Sequence, residues 1–207
     1  MEMNDKLRPG YQSQAELWAV NPHRIARYMD NHVIPFLKLR KGSVCMDVGE
    51  ANPRMEYMKT KLGLDVHQLA TQDLNFDKIR ERRKYDAIFV FDLLEHIQNA
   101  LFLMSELKGV VKKNGSIYIN LPEIPRWLWG DEHYFELDRK HLTKWILNPL
   151  ELRVVRQKKI FFIANWKAFF VGVRPLLRVL RGEQTLRSIM RSIFCFQFRI
   201  YEIKRTW

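Results

Sequence analysis

The chain has 207 residues, of which 47% are hydrophobic, and a formal net charge of +12. This length suits a single domain that buries its own core without disulfides or metal ions. Its two cysteines, Cys45 and Cys195, have no neighbours at metal-binding spacing, which favours a reducing, cytoplasmic location. We find no apolar signal core and no apolar run long enough to cross a bilayer, so we expect neither secretion nor a membrane span.

The glycine spacing excludes two kinds of nucleotide-binding loop. Of the 9 glycines, no two lie closer than six positions, so neither a Walker phosphate loop nor an intact GxGxxG loop is present. The positive charge is concentrated near the end of the chain, where residues 158–207 hold eleven Lys and Arg against two Asp and Glu. This distribution favours a nearly neutral fold with one surface that meets an anionic partner.

The first part of the chain alternates between helices and short apolar strands. Helices are predicted over residues 22–39, 54–62 and 100–111, the second of them ending at Gly63. Strands are predicted over residues 43–48, 65–70, 85–91 and 116–121. This alternation is typical of an α/β protein, a doubly wound and mostly parallel sheet with helices on both faces.

The later part changes character. A helix is predicted over residues 139–147, and two strands, 151–163 and one beginning at Phe196, are expected to pair as a terminal antiparallel hairpin. Between them, residues 165–193 have an apolar helical face flanked by arginines. That pattern fits a lid docked on the sheet or a peripheral contact with an anionic membrane. Nucleic acid is not expected, because the aromatic residues share the apolar face.

Acidic side chains recur where the predicted strands end. Asp47, Asp73 and Asp92 each follow an apolar strand, and ligands of doubly wound folds bind at the carboxyl ends of the strands. Carboxylates suit the hydroxyl and amino groups of a neutral or cationic nucleoside better than a phosphate. We therefore expect a nucleoside site at this edge of the sheet.

Three segments carry a family resemblance: MDVGEANP (46–53), YDAIFVFDLLEHIQNA (85–100) and LKGVVKKNGSIYINLP (107–122). Together they resemble the Rossmann-type S-adenosylmethionine-dependent methyltransferases, in particular the small-molecule methyltransferase group, over residues 43–160. The resemblance implies a seven-stranded sheet, S-adenosylmethionine as cofactor, and methyl transfer, but it does not imply a substrate. Our own expectation is a small-molecule or lipid-linked acceptor. The glycine loop is degenerate, since the family's second and third glycines fall on Ala51 and Pro53.

The resemblance also implies roles for individual residues. Asp47 and Gly49 would hold the methionine end of the cofactor, Asp73 and Leu74 would lie near its ribose or adenine, and Phe91 and Asp92 would lie beside the sulfonium. Glu50, Ala51 and Asn52 complete the first loop of the cofactor site. The purely structural alternatives are that Asp47 caps a helix and that Asp73 closes an Asx turn.

Two histidines are candidates for a catalytic role. His96 could act as a general base, or it could simply begin the next helix after Glu95. His133 could border the substrate pocket, as could an aromatic loop with Trp127 and Trp129, or these residues could be ordinary loop structure. No metal site is predicted, because His133, Glu136, Asp138 and His141 match no standard ligand template.

From these features we expect three parts: an N-terminal helical segment (1–41), a methyltransferase-like domain (42–163 with 194–207) and a basic helical insertion (164–193). The alternative to an enzyme is a non-catalytic adapter that docks an anionic partner through its basic helices.

Overall fold

The computed structural model describes residues 22–49, 51–69, 73–122, 134, 137–162 and 196–206. Its helices are α1 (Pro22–Tyr28), α2 (Pro53–Leu62), α3 (Ala100–Val110) and α4 (Arg139–His141). Helix α1 continues through a π-helical turn (Met29–Val33) and a 3-10 turn (Ile34–Phe36), and these three together are called the α1 segment. Helix α4 continues through a π-helical turn (Leu142–Leu147) and a 3-10 turn (Asn148–Leu150). The strands are β1 (Val44–Val48), β2 (Asp65–Leu69), β3 (Tyr85–Phe91), β4 (Val111–Pro122), β5 (Leu152–Phe162) and β6 (Phe196–Arg205).

The six strands form one sheet in the order β2-β1-β3-β4-β6-β5. Strands β2, β1, β3 and β4 are parallel, whereas β6 runs antiparallel to both β4 and β5. This arrangement confirms the mostly parallel sheet and its terminal antiparallel hairpin.

The described residues contain six strands, one fewer than the resemblance implied. Between β2 and β3 the described part, residues 73–84, forms turns and extended loop. It begins with the turn-forming Asp73 and Asn75 and ends in a run of charged residues, so it lacks the apolar alternation that a further strand needs.

Helices cover both faces of the sheet, as predicted. On one face Met46, Ile88 and Ile119 belong to a buried cluster that includes Leu103 and Leu107 of α3. The opposite face has its own cluster, which joins the intervening strand residues to α2 and to the segment after α1: Met29, Val33, Phe36, Cys45, Met55, Met58, Ala87, Phe89 and Tyr118. Because successive strand side chains point to opposite faces, nearly continuous apolar strands are what two covered faces require.

Two details differ from the sequence expectation. In α3, the helical spacing of Leu101, Met104 and Leu107 predicts one apolar face, but Leu101 is 42% exposed, whereas Leu103 is buried. Strand β4 begins at Val111 rather than Ser116, and its pairing with β3 shifts register between Tyr85 and Ala87.

None of the helices in the described parts of the chain has the length and apolarity needed to cross a membrane. Several expectations fall outside the described residues, namely those for the insertion 164–193, Glu50, Trp127, Trp129 and His133.

Candidate functional site

The loop after β1 is built around Asp47 and Gly49. Asp47 is the fourth residue of β1 and is 2% exposed. Gly49 has a φ of +117°, which side-chain-bearing residues rarely adopt. Gln68, near the end of β2, donates its side-chain amide to the Gly49 carbonyl oxygen at 2.7 Å. The loop therefore holds its turn with a single glycine, with the neighbouring strand fixing its backbone.

The helix that follows this loop begins with a polar cap. Asn52 Oδ1 accepts a hydrogen bond from the Met55 backbone N–H at 3.0 Å, and Pro53 occupies the first helical position. Both residues are preferred at these places, because the cap satisfies a free N–H and proline has none to satisfy. The cap orients the first turn of α2, in which Arg54 lies.

Arg54 and Asp92 form an ion pair at the centre of the site. The Arg54 guanidinium lies 2.6 Å from Asp92 Oδ2, and both side chains are less than one-fifth exposed. Asn120 Nδ2 in β4 donates to Asp92 Oδ1 at 2.8 Å. Asp92 follows β3 with a φ of +49°, a left-handed conformation that turns the chain sharply at the strand end.

Arg54 is not among the site residues predicted from the sequence. Its position in the first turn of a helix could have identified it, because the helix dipole disfavours a cation there and favours an acidic residue. Such a placement indicates a nearby carboxylate, and Asp92 supplies it.

Glu95 is the second residue that the sequence reasoning left out of the site. It is 3% exposed, in the short turn Leu94–His96, and its carbonyl oxygen accepts the Tyr134 backbone N–H at 2.9 Å. Burial, together with the negative charge of Asp92, raises the pKa of Glu95 to about 8. Burial likewise raises the pKa of Asp47 to about 7. Both carboxyl groups can therefore hold a proton near neutral pH.

Four buried polar atoms in this region have no hydrogen-bond partner within the described structure. Three are acceptors, Asp47 Oδ2, Glu95 Oε2 and Asn120 Oδ1, and the fourth is the donor Arg54 Nε. The ion pair links the four residues. Arg54 interacts electrostatically with Asp47 and Glu95, and Asp92 accepts a hydrogen bond from Asn120. Unsatisfied buried polar atoms are costly, so their clustering here points to a ligand with donors and at least one acceptor.

A narrow cleft with a volume of about 10 Å³, room for about one water molecule, adjoins the ion pair. Its polar end is formed by Arg54 and Asn120, and burial raises the pKa of Tyr28 in its wall to about 12. The remaining wall is apolar and comes from the turn after α1, from the end of β3 and from the terminal hairpin: Met29, Val33, Phe91, Ile160 and Ile200.

The structure brings together Asp47, Gly49, Phe91 and Asp92 among the predicted site residues. Asp73 is exposed, and its Oδ1 accepts the Asn75 N–H at 2.9 Å, so it does close an Asx turn. That turn is tied to the segment after β3, since Asn99 N–H donates to Asn75 Oδ1 at 3.1 Å.

Four further predicted residues have less direct placements. Leu74 packs against the core and Ala51 is exposed. His96 is half-buried, directly after Glu95. Asn52 Oδ1 is engaged by the helix cap. The proposed contacts of these residues with a cofactor or substrate stay predictions.

No protein-family model and no curated protein sequence matches the chain. Solved structures with a similar fold do exist. Haemonchus contortus phosphoethanolamine N-methyltransferase 2, in complex with phosphomonomethylethanolamine and S-adenosylhomocysteine, is 11% identical, with a TM-score of 0.55 over 97% of this chain and 62% of that one. The chain thus spans less than two-thirds of that protein's length.

Two other structures define the breadth of the fold. An S-adenosylmethionine-dependent methyltransferase from Archaeoglobus fulgidus is 16% identical, with a TM-score of 0.54 over 93% of this chain and 95% of that one. The cyclase SpnF is 10% identical, with a TM-score of 0.58 over 87% of this chain and 81% of that one. The chain therefore has the fold of the Rossmann-type methyltransferases, a fold that also serves another reaction.

Proposed function

We propose that the chain binds S-adenosylmethionine and transfers its methyl group to a small-molecule or lipid-linked acceptor. The observation that carries this proposal is the cluster of unpartnered buried atoms at the ends of β1, β3 and β4. Three acceptors and one donor complement the ammonium and carboxylate of an amino-acid head group, which the methionine end of this cofactor has. When bound, the cofactor would supply an electrophilic methyl group.

The charge of the site favours a cationic ligand. Its ionisable groups include the carboxyls of Asp47, Asp92 and Glu95 against the single guanidinium of Arg54. A ligand with net positive charge would stabilise the ionised forms of Asp47 and Glu95, which burial otherwise disfavours. The Asp92 carboxylate would remain neutralised by Arg54.

Each residue has a proposed task. Asp47 would accept the ligand ammonium, and Arg54 Nε would donate to its carboxylate. Around these two groups, the remaining cofactor contacts are proposed for Gly49, Glu50, Ala51, Asn52, Asp73, Leu74, Phe91 and Asp92. His96 and His133 are the proposed bases for the acceptor, although positioning in a dry cleft contributes more to methyl transfer than proton removal does.

The proposed acceptor site begins at the apolar cleft beside Arg54, which would have to open from its volume of about 10 Å³ to admit an acceptor. Its wall of Met29, Val33, Ile160 and Ile200 would exclude water from the methyl acceptor. We also propose that residues 164–193 form a basic helical insertion that meets an anionic membrane from the cytoplasmic side, which would suit a lipid-linked acceptor. A non-catalytic adapter with the same basic helices is the second candidate, favoured by the degenerate glycine loop.

Calorimetric titration with S-adenosylhomocysteine separates the two candidates. We expect saturable binding that Asp47→Asn weakens by about tenfold or more, because a charged hydrogen bond to the ligand contributes about 1.5–3 kcal/mol. The matched control is Asp65→Asn, the same change at the exposed opposite end of the neighbouring strand β2. This control should leave the affinity unchanged.

Turnover is followed as S-adenosylhomocysteine released from S-adenosylmethionine when amine, hydroxyl or lipid acceptors are added. Absence of any heat of binding at high ligand concentration would contradict the enzyme and favour the adapter. Binding that is equally weakened by both substitutions would remove Asp47 from the site.

A further inference from the structure

A second pocket lies at the other end of the central strands from the candidate site, where β3 and β4 begin. It has a volume of about 490 Å³ and opens between the end of α3 and the starts of β3 and β4, with Arg205 contributed by the end of β6. Strand β3 separates the two sites, and its seven residues span roughly 20 Å at about 3.3 Å per residue. The pocket is therefore distinct from the proposed cofactor and acceptor sites.

The side chains that line this pocket are strongly basic. They include five cations and no carboxylate, together with one hydroxyl: Lys84, Ser105, Lys108, Lys112, Lys113 and Arg205. Two carboxylates lie just outside, with Asp86 at 2.7 Å from Lys112 and Glu151 at 3.2 Å from Lys108. Five cations against two anions leave a local charge of +3.

Part of this basicity serves the fold. Lys84 Nζ donates to the Gly109 carbonyl at 2.5 Å, and Arg205 donates to the carbonyls of Lys108 and Val111. These bonds give hydrogen-bond donors to carbonyl oxygens at the carboxyl end of α3, where the helix dipole favours cations. Because carbonyls are neutral acceptors, the charges of Lys84 and Arg205 are not cancelled by them.

Two features of the pocket are not explained by these bonds to carbonyl groups. Arg205 Nε is buried without a hydrogen-bond partner in the described structure. Lys112 and Lys113 are consecutive in β4, where regular pleating would point them to opposite faces, yet both line the pocket. They lie in the section of β4 where the pairing with β3 shifts register, an irregularity that interrupts the regular alternation of side chains.

We propose that this pocket binds a phosphate group, either of a small phosphorylated ligand or of a phospholipid headgroup. Converging Lys and Arg side chains recognise a compact dianion through several charged hydrogen bonds, and Arg205 Nε would gain the acceptor that it lacks. The open mouth leaves room for the rest of a larger ligand. This inference does not rest on the proposed methyl transfer.

The test is calorimetric titration of the full chain with pyrophosphate at low ionic strength. We expect saturable binding that Lys113→Gln weakens about fivefold, the effect of one lysine near an anion. Lys113 is exposed, and the matched control is Lys140→Gln, an exposed lysine of α4 outside the pocket. The control should bind as the parent does, and both variants should keep the thermal unfolding midpoint.

Vesicles of phosphatidylcholine with phosphatidic acid distinguish the two sources of phosphate. If the headgroup is the ligand, flotation with these vesicles falls for Lys113→Gln and not for Lys140→Gln, and pyrophosphate competes with it. If a small ligand is bound instead, pyrophosphate binds, and any flotation with the vesicles is the same for Lys113→Gln as for Lys140→Gln and is not reduced by pyrophosphate. Equal effects of the two substitutions on the affinity for pyrophosphate, or no binding of pyrophosphate, would overturn the pocket as a phosphate site.

Discussion

At the scale of single residues, the site is dominated by two buried carboxyl groups with raised pKa values. Glu95 titrates at about 8 and Asp47 at about 7, in both cases chiefly because burial penalises the charged form. The unfolded chain would ionise these groups near pH 4. Between these values the two groups bind more protons in the folded state than in the unfolded state, so their contribution to the free energy of unfolding falls as pH rises. Above about pH 8 this contribution is constant.

Replacement of Glu95 by glutamine should remove part of this pH dependence. Glu95→Gln is neutral at every pH, so its stability relative to the parent should rise between about pH 5 and about pH 8. Asp92 and Arg54 face the same carboxyl group and remain in place. Urea unfolding across this range measures the effect, and Glu151→Gln, an exposed change before β5, is the control. Parallel pH profiles for Glu95→Gln and the parent would show that Glu95 does not titrate as described.

At the scale of elements, the sequence predicted those parts that depend on local pattern. Strand β3 has the predicted bounds because seven consecutive residues read as apolar strand, and α2 ends at Gly63, whose φ of +61° suits glycine. Arg54 and Glu95 could not be placed in the same way. Their roles depend on partners from β3, β4 and the loops between, which come together only after the sheet has formed.

The cap of α2 is an element whose contribution can be measured directly. Asn52→Ala should lower the free energy of unfolding by about 1 kcal/mol, because the Met55 N–H loses its side-chain acceptor and keeps only the Asn52 carbonyl oxygen, at 3.1 Å. Asn52→Asp keeps an acceptor oxygen and should restore most of the loss. Denaturant unfolding of the three proteins provides the comparison. An alanine variant as stable as the parent would contradict the capping role and leave Asn52 available for a ligand.

For the whole molecule, a buried polar network joins the terminal hairpin to the parallel sheet and to the α1 segment. Glu202 in β6 is 3% exposed, accepts the Ser116 hydroxyl of β4 at 2.9 Å, and forms an ion pair with Arg156 of β5. Arg156 also donates to the Phe36 carbonyl at 2.8 Å, and its guanidinium lies 4.6 Å from the centre of that ring. One arginine thus links the hairpin to the segment that forms part of the apolar cleft.

Removal of this arginine should destabilise the whole fold more than removal of a solvent-exposed one. Arg156→Met removes the arginine partner of the buried Glu202 carboxylate and leaves it the Ser116 hydroxyl and Lys204, the latter at 3.6 Å. We expect a loss of about 3 kcal/mol in the free energy of unfolding. Adding Glu202→Gln to Arg156→Met should recover part of that loss, because no buried charge is then left without its partner. Arg153→Met, an exposed change in the same strand, should alter stability by less than about 0.5 kcal/mol. These free energies come from denaturant unfolding followed by circular dichroism. If Arg156→Met and Arg153→Met were equally stable, the hairpin would be held to the sheet by its backbone pairing and apolar packing alone.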